Sequence, residues 1–166
     1  MNRPLFLVGF MGSGKSAVGT RAAQELGLPF HDSDEIVARS CNRPIHRIFE
    51  EQGEQAFRNL ERQVLENLCD GGPGLVATGG GAFQPFRSRR RMIGSGTTVW
   101  LDVPFGLIRD RLSDDPARPL WDSGDLDGMK MLYLQRRAAY ALAGHRIDAA
   151  DIEAAVDRVV RLSRER

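Results

Sequence analysis

Two aspartates stand two apart in PFHDSDEIV, where an apolar run gives way to a charged one. Carboxylates placed like Asp32 and Asp34 can cap a helix, hold a metal, take a proton from a substrate, or keep a turn in water. Their spacing alone leaves all four open. Just upstream, GFMGSGKS at residues 9 to 16 matches G-x-x-x-x-G-K-[ST], directly after an apolar strand-like run and before the helical SAVGTRAAQEL. In that context Gly12, Ser13, Gly14, Lys15, Ser16 and Ala17 form a phosphate-binding loop. Backbone N–H groups and a helix N-terminus face the anion, and the glycines permit close approach. The chain carries 23 basic residues, of which only Lys15 and Lys130 are lysines. A compact ammonium retained in an arginine-rich chain suits the β- and γ-phosphates of a nucleotide, and the Ser16 hydroxyl suits Mg²⁺.

The acceptor of a phosphoryl group must be sought elsewhere. LVATGGGA, residues 75 to 82, reads as a strand running into three glycines, with no acidic residue for a metal but with backbone N–H groups open to a ligand. Asp102, closing TTVWLD, is an alternative acid that reads better as a turn or helix-start residue. In IHRIFEEQGEQAFRNLERQVLENL, residues 45 to 68, Phe57, Leu60, Val64 and Leu68 predict a core-facing stripe. Arg58 lies beside it, four after Glu54 and three before Glu61, a spacing that favours a surface salt-bridge ladder. In DLDGMKMLYLQRRAAYALAG, residues 125 to 144, the apolar row runs through Met129, Leu132, Tyr133, Tyr140 and Ala143. Arg136 falls on that row and Arg137 off it. An inward arginine needs an anionic partner, from protein or ligand, because an unpaired buried charge is too costly.

These side chains need a scaffold, and the pattern supplies one. Short apolar runs near residues 4 to 9, 29 to 32, 75 to 78, 97 to 102 and 145 to 148, the last weak, alternate with segments of helical period. Such alternation predicts an α/β fold with a parallel sheet covered on both faces. A length of 166 residues with 42% hydrophobic content suits one domain spanning 1 to 166. SDDPARPLWDSGDLDG, residues 113 to 128, reads as a lid-like insert. No apolar run approaches the roughly 20 residues of a bilayer span, and the N-terminus turns glycine-rich too early for a secretory signal. Cys41 and Cys69 are isolated, which predicts reduced thiols and neither a disulfide framework nor a zinc site. These features predict a soluble intracellular protein with no membrane partner. RSRRR, residues 87 to 91, lacks interleaved aromatics in a chain of net charge +1. It reads as a solvated face, so no nucleic-acid partner is expected.

The ordered set resembles the shikimate kinases, small P-loop enzymes of aromatic amino-acid biosynthesis. It comprises GFMGSGKS, DSD at 32 to 34, IFEEQGEQAFRNLE at 48 to 61, GGGA at 79 to 82, RPL at 118 to 120, and Arg136 four before Tyr140. The resemblance implies a three-layer α/β/α P-loop kinase fold, with a five-stranded parallel sheet in the order 2-3-1-4-5. It also implies a helical substrate-binding region at about 33 to 61, a mobile lid at about 113 to 125, and a cytoplasmic monomer. It further implies ATP as co-substrate, one Mg²⁺ held by Ser16 and, through water, by Asp32, and shikimate as acceptor. Asp34 would hold shikimate's hydroxyls and accept a proton. Arg58 and Arg136, with the Gly80 backbone, would grip its carboxylate, while Gly79 and Gly81 keep the turn open. Lys15 and Arg118 would neutralise the transferring phosphate, and Arg111 would lie against adenine. The family usually has Pro-Leu before the tyrosine; Ala138 and Ala139 here imply a different setting of that helix. Another small P-loop kinase, acting on a nucleoside monophosphate or sugar acid, and a silent nucleotide-binding regulator are the competing readings.

Overall fold

A computed structural model describes residues 3–112 and 121–165. Five strands are named in chain order: β1 (Pro4–Val8), β2 (Phe30–Asp32), β3 (Gly74–Ala77), β4 (Thr97–Asp102) and β5 (His145–Asp148). They form one sheet in the order β2-β3-β1-β4-β5, with every pair parallel. Every residue of β1, β3 and β4 is buried. Such strands have no solvent face, which is why they read as continuous apolar runs rather than alternating ones. β5 lies at an edge and buries only Ile147, so its sequence signal is faint.

Seven helices lie among the described residues: α1 (Lys15–Leu26), α2 (Ser33–Cys41), α3 (Ile45–Asp70), α4 (Phe86–Ser95), α5 (Phe105–Leu112), α6 (Leu126–Tyr140) and α7 (Ile152–Arg164). They cover both sheet faces in a three-layer α/β/α arrangement, with α1 packed on α7 and α3 packed on α4. α7 shows how patterning does this: Ala155, Val156, Val159, Val160 and Ser163 fall on one face and are buried. No described helix is long and apolar enough to cross a membrane.

The stripe expected on α3 needs correcting. Phe57 is buried, but its buried companions are Glu61, Leu65 and Cys69, whereas Leu60, Val64 and Leu68 are only half-buried. The helix lies between two hydrophobic clusters. Leu65 and Cys69 join the main core, with Leu68 packed at its margin, while Leu60 and Val64 lean on a smaller cluster of Val37, Ile48 and Phe57. A helix serving two cores has a wide apolar face, and its central row is not the one that apolar spacing selects. α3 is also two helices joined at Gly53, whose φ of 80° and ψ of 168° are non-helical. Glycine alone enters that region without strain.

All five strands run the same way, so the loops after them share one rim of the sheet. Open parallel sheets bind ligands along that edge.

Candidate active site

The loop from β1 to α1 begins the site. Lys15 opens α1 and is buried, its Nζ donating to the carbonyls of Gly9 at 2.9 Å and Phe10 at 2.8 Å, and to Ser13 Oγ at 3.3 Å. Ser16 Oγ donates to Asp32 Oδ2 at 2.5 Å, tying the start of α1 to the end of β2. Asp32 also caps α2, its Oδ1 accepting from the N–H groups of Asp34 at 2.9 Å and Glu35 at 3.3 Å. Of the readings open for Asp32 the helix cap is thus present, and the same side chain also accepts from the Ser16 hydroxyl. Arg111 bridges the phosphate loop and the segment after β5, donating to Gly12 O at 3.2 Å and Ala150 O at 2.9 Å. Lys15, Ser16, Asp32, Asp34, Gly80 and Arg111 all line a cavity of about 780 Å³ along the rim.

A second cluster surrounds the glycines after β3. A Cβ added at Gly79 would collide with Glu61 Oε1 and lie 2.7 Å from Asp34 Oδ1, and one at Gly81 would lie 2.7 Å from Arg58 Nη1. These glycines thus permit the close approach of three charged side chains, whose head groups would have to shift to admit a Cβ. Ser33, buried between the aspartates, does more than separate them: its Oγ accepts from Gly79 N–H at 2.9 Å and fastens the glycine turn to α2. The Tyr140 hydroxyl donates to Gly80 O from the far side. Burial pushes that phenol up to about 12, so it remains a donor throughout neutral pH.

The ladder suggested for Arg58 exists, but only one side of it is at the surface. Arg58 Nη2 meets Glu54 Oε1 at 3.1 Å, and Nη1 meets Glu61 Oε2 at 2.8 Å; the Glu61 side chain is only 4% exposed. Burial raises the Glu61 pKa, and the charge and hydrogen bond of Arg58 offset that only in part. Burial works against the Arg58 charge too, but the charges and hydrogen bonds of Glu61 and Glu54 together outweigh it and leave the guanidinium held above its usual pKa. Arg136 approaches from α6, 5.5 Å over the Phe10 ring, with its Nη1 buried and lacking a hydrogen-bond partner among the described residues. Arg58 and Arg136 both act electrostatically on Glu61 and on Tyr140, so two guanidiniums converge on one region. An orphaned guanidinium nitrogen in that setting calls for an anion.

A shikimate kinase family model matches residues 11–163. The chain belongs to the shikimate kinase family. The shikimate kinase of Microcystis aeruginosa is 39% identical over 160 residues, covering 95% of this chain and 83% of that protein. That of Rhizobium leguminosarum bv. trifolii is 45% identical over 119 residues, covering 72% of this chain and 61% of that protein. Among solved structures, the shikimate kinase of Acinetobacter baumannii in complex with shikimate superposes with a TM-score of 0.92 at 31% identity, covering 98% of this chain and 93% of that one.

Within this shikimate kinase framework, three sequence readings are revised. Asp102 is not a turn or helix-start residue. It is nearly buried and paired with Arg137 and Arg146. Arg137, expected off the inward row of α6, turns inward to make that pair, because a stripe about 100° wide accommodates both 136 and 137. Glu61 was visible only as one rung of a ladder; its position four after Phe57 was the available signal. Arg118, with residues 113 to 120 of the expected lid, lies outside the described residues. Among the described residues no group of three or more His, Cys, Asp or Glu could hold a metal ion. The oxygen pair Ser16 and Asp32 still suits Mg²⁺, which takes few protein ligands and keeps several waters.

Proposed function

We propose that the chain transfers the γ-phosphoryl group of ATP to the 3-hydroxyl of shikimate, giving shikimate 3-phosphate and ADP in the shikimate pathway of aromatic amino-acid biosynthesis. The observation that carries the assignment of roles is the convergence of Arg58 and the unpartnered Arg136 Nη1 beside Asp34 and the open glycines. Two planar guanidinium forks on one region suit a carboxylate, and a nearby aspartate suits the hydroxyls of the same molecule. On this reading Arg58, Arg136 and the Gly80 backbone hold the acceptor's carboxylate. Asp34 orients the hydroxyls and takes the proton as the acceptor oxygen bonds to phosphorus and the bond to ADP breaks. Gly79 and Gly81 leave room for the ring.

Lys15 exchanges its loop carbonyls for the nucleotide phosphates, which the N–H groups from Gly12 to Ala17 cradle, and Arg111 borders the adenine. Mg²⁺ would be held by Ser16 directly and by Asp32 through water, and when bound it neutralises charge on the β- and γ-phosphates. The transition state is loose, so the protein's own contribution is chiefly position and charge. Arg118 keeps the phosphate-neutralising role that the resemblance to the family implies. One domain with a substrate-binding region at 33 to 61 and a lid at 113 to 125, a monomeric state and cytoplasmic residence complete the reading.

A coupled ADP-release assay offering shikimate, gluconate and nucleoside monophosphates in parallel tests the assignment. Turnover with shikimate alone is expected; turnover with a nucleotide or gluconate and none with shikimate would reject it.

A further inference from the structure

α6 delivers Arg136 to the acceptor region, yet few side chains hold the helix in place. Of its 15 residues only Tyr133 and Tyr140 are buried. Ala138 and Ala139, between the arginines and Tyr140, have no reach. What fixes the helix between its two tyrosines is Arg137. Its Nη1 donates to Asp102 Oδ1 at 2.6 Å and its Nη2 to Oδ2 at 3.1 Å, a two-pronged pair across the end of β4. Nη1 also reaches the Tyr133 hydroxyl at 2.7 Å, which itself donates to Val103 O at 3.0 Å. The guanidinium is stacked 4.8 Å from the Trp100 ring centroid and 5.4 Å from that of Tyr133. Asp102 is 10% exposed at its side chain and is steadied from β5 by Arg146, whose Nε donates to Oδ2 at 2.9 Å.

A planar fork locked on a carboxylate and stacked on rings resists rotation in a way that a lysine or an apolar contact does not. Side chains reach about 5 to 6 Å from a helix axis, so a turn of roughly 10° about that axis moves a neighbouring head group by about 1 Å. Displacements of that size cost up to about a hundredfold in rate. Arg136 is the adjacent residue, and its backbone carbonyl accepts from Gln84 Nε2 at 3.3 Å.

We propose that Arg137 is a positioning residue: its pair with Asp102 sets the rotation of α6 and thereby aims Arg136 at the acceptor's carboxylate. The proposal rests on Arg136 being a carboxylate ligand, as read above.

Steady-state kinetics with both substrates varied test it, using the full chain and the variants Arg137→Met, Asp102→Asn, Arg136→Met and Arg136→Met/Arg137→Met. Arg137→Met keeps an apolar stem against the rings but loses the fork. It is expected to raise the shikimate KM by about tenfold while the ATP KM moves less than about twofold. Asp102→Asn should reproduce that split, and it carries the test if Arg137→Met does not fold. In the Arg136→Met background, removing Arg137 should change the shikimate KM by less than about twofold, because a residue acting through another has nothing left to act on. Equal rises in both KM values, or effects of Arg137 and Arg136 that multiply, would reduce the pair to a structural one. A raised shikimate KM in Arg136→Met beside an unchanged one in Arg137→Met would overturn the positioning role alone. An unchanged shikimate KM in Arg136→Met would overturn the carboxylate reading beneath it.

Discussion

At the scale of single residues the division between Asp32 and Asp34 is the sharpest feature. Asp32 spends both oxygens within the fold, one on the α2 N-terminus and one on Ser16. Asp34 faces Glu61 and the glycine turn, in the cavity that also holds Lys15. Asp34→Asn should therefore lower kcat by about two orders of magnitude or more while ATP affinity, followed by nucleotide titration, stays within about threefold. Retained turnover would remove the proton-accepting role. The phosphate loop was legible in sequence because it is a contiguous motif set between a strand and a helix, whereas the spacing of the DSD pair left its roles open until the resemblance supplied an expectation. Glu61, Ser33 and Asp102 were not legible, because each owes its importance to burial against a residue elsewhere. Ser33 meets a backbone N–H 46 positions away, and Asp102 meets a guanidinium 35 positions away. Periodicity reports which face is apolar and says nothing of which charges are buried as pairs.

Among the elements, α3 departs most from its sequence pattern. One apolar stripe was expected; two cores and a kink were found. The kink matters to the site because it allows the segment before Gly53 to close the small cluster around Val37, Ile48 and Phe57 while the segment after it presents Arg58 and Glu61. No atom lies within 4 Å of where a Gly53 Cβ would be, so substitution there meets no clash and reports backbone conformation alone. Gly53→Ala is expected to cost about 1 to 3 kcal/mol in chemical denaturation, the strain of a non-glycine residue in that region. A neutral result would mean that α3 straightens, which should then show as a weakened shikimate KM. β5 gave little sequence signal for the opposite reason: an edge strand with one buried residue has hardly any apolar pattern to display.

For the molecule as a whole, a buried phenol helps to join α6 to the loop after β3, and this gives stability a pH dependence at the alkaline end. Tyr140 titrates near 10 when unfolded and is pushed up to about 12 in the fold, mainly by burial. The folded state thus resists losing the proton. Its contribution is whole below pH 10 and is lost as pH rises from 10 through 12, a change of about 3 kcal/mol if fully expressed. Tyr140→Phe should flatten that limb in denaturation curves taken across the range; an unaltered limb would place the titration elsewhere. The sheet order and its layers were legible through the resemblance and the buried strands. The counter-ions of the rim were not, since they depend on which loops that order brings together. The uneven use of basic residues has a practical consequence. Side-chain amines occur only at Lys15, sequestered on the carbonyls of Gly9 and Phe10, and at exposed Lys130. Amine-directed reagents thus meet one open side-chain target on α6 and one that reacts only as the phosphate loop releases it, which makes the chain's own composition a chemical clock for that release.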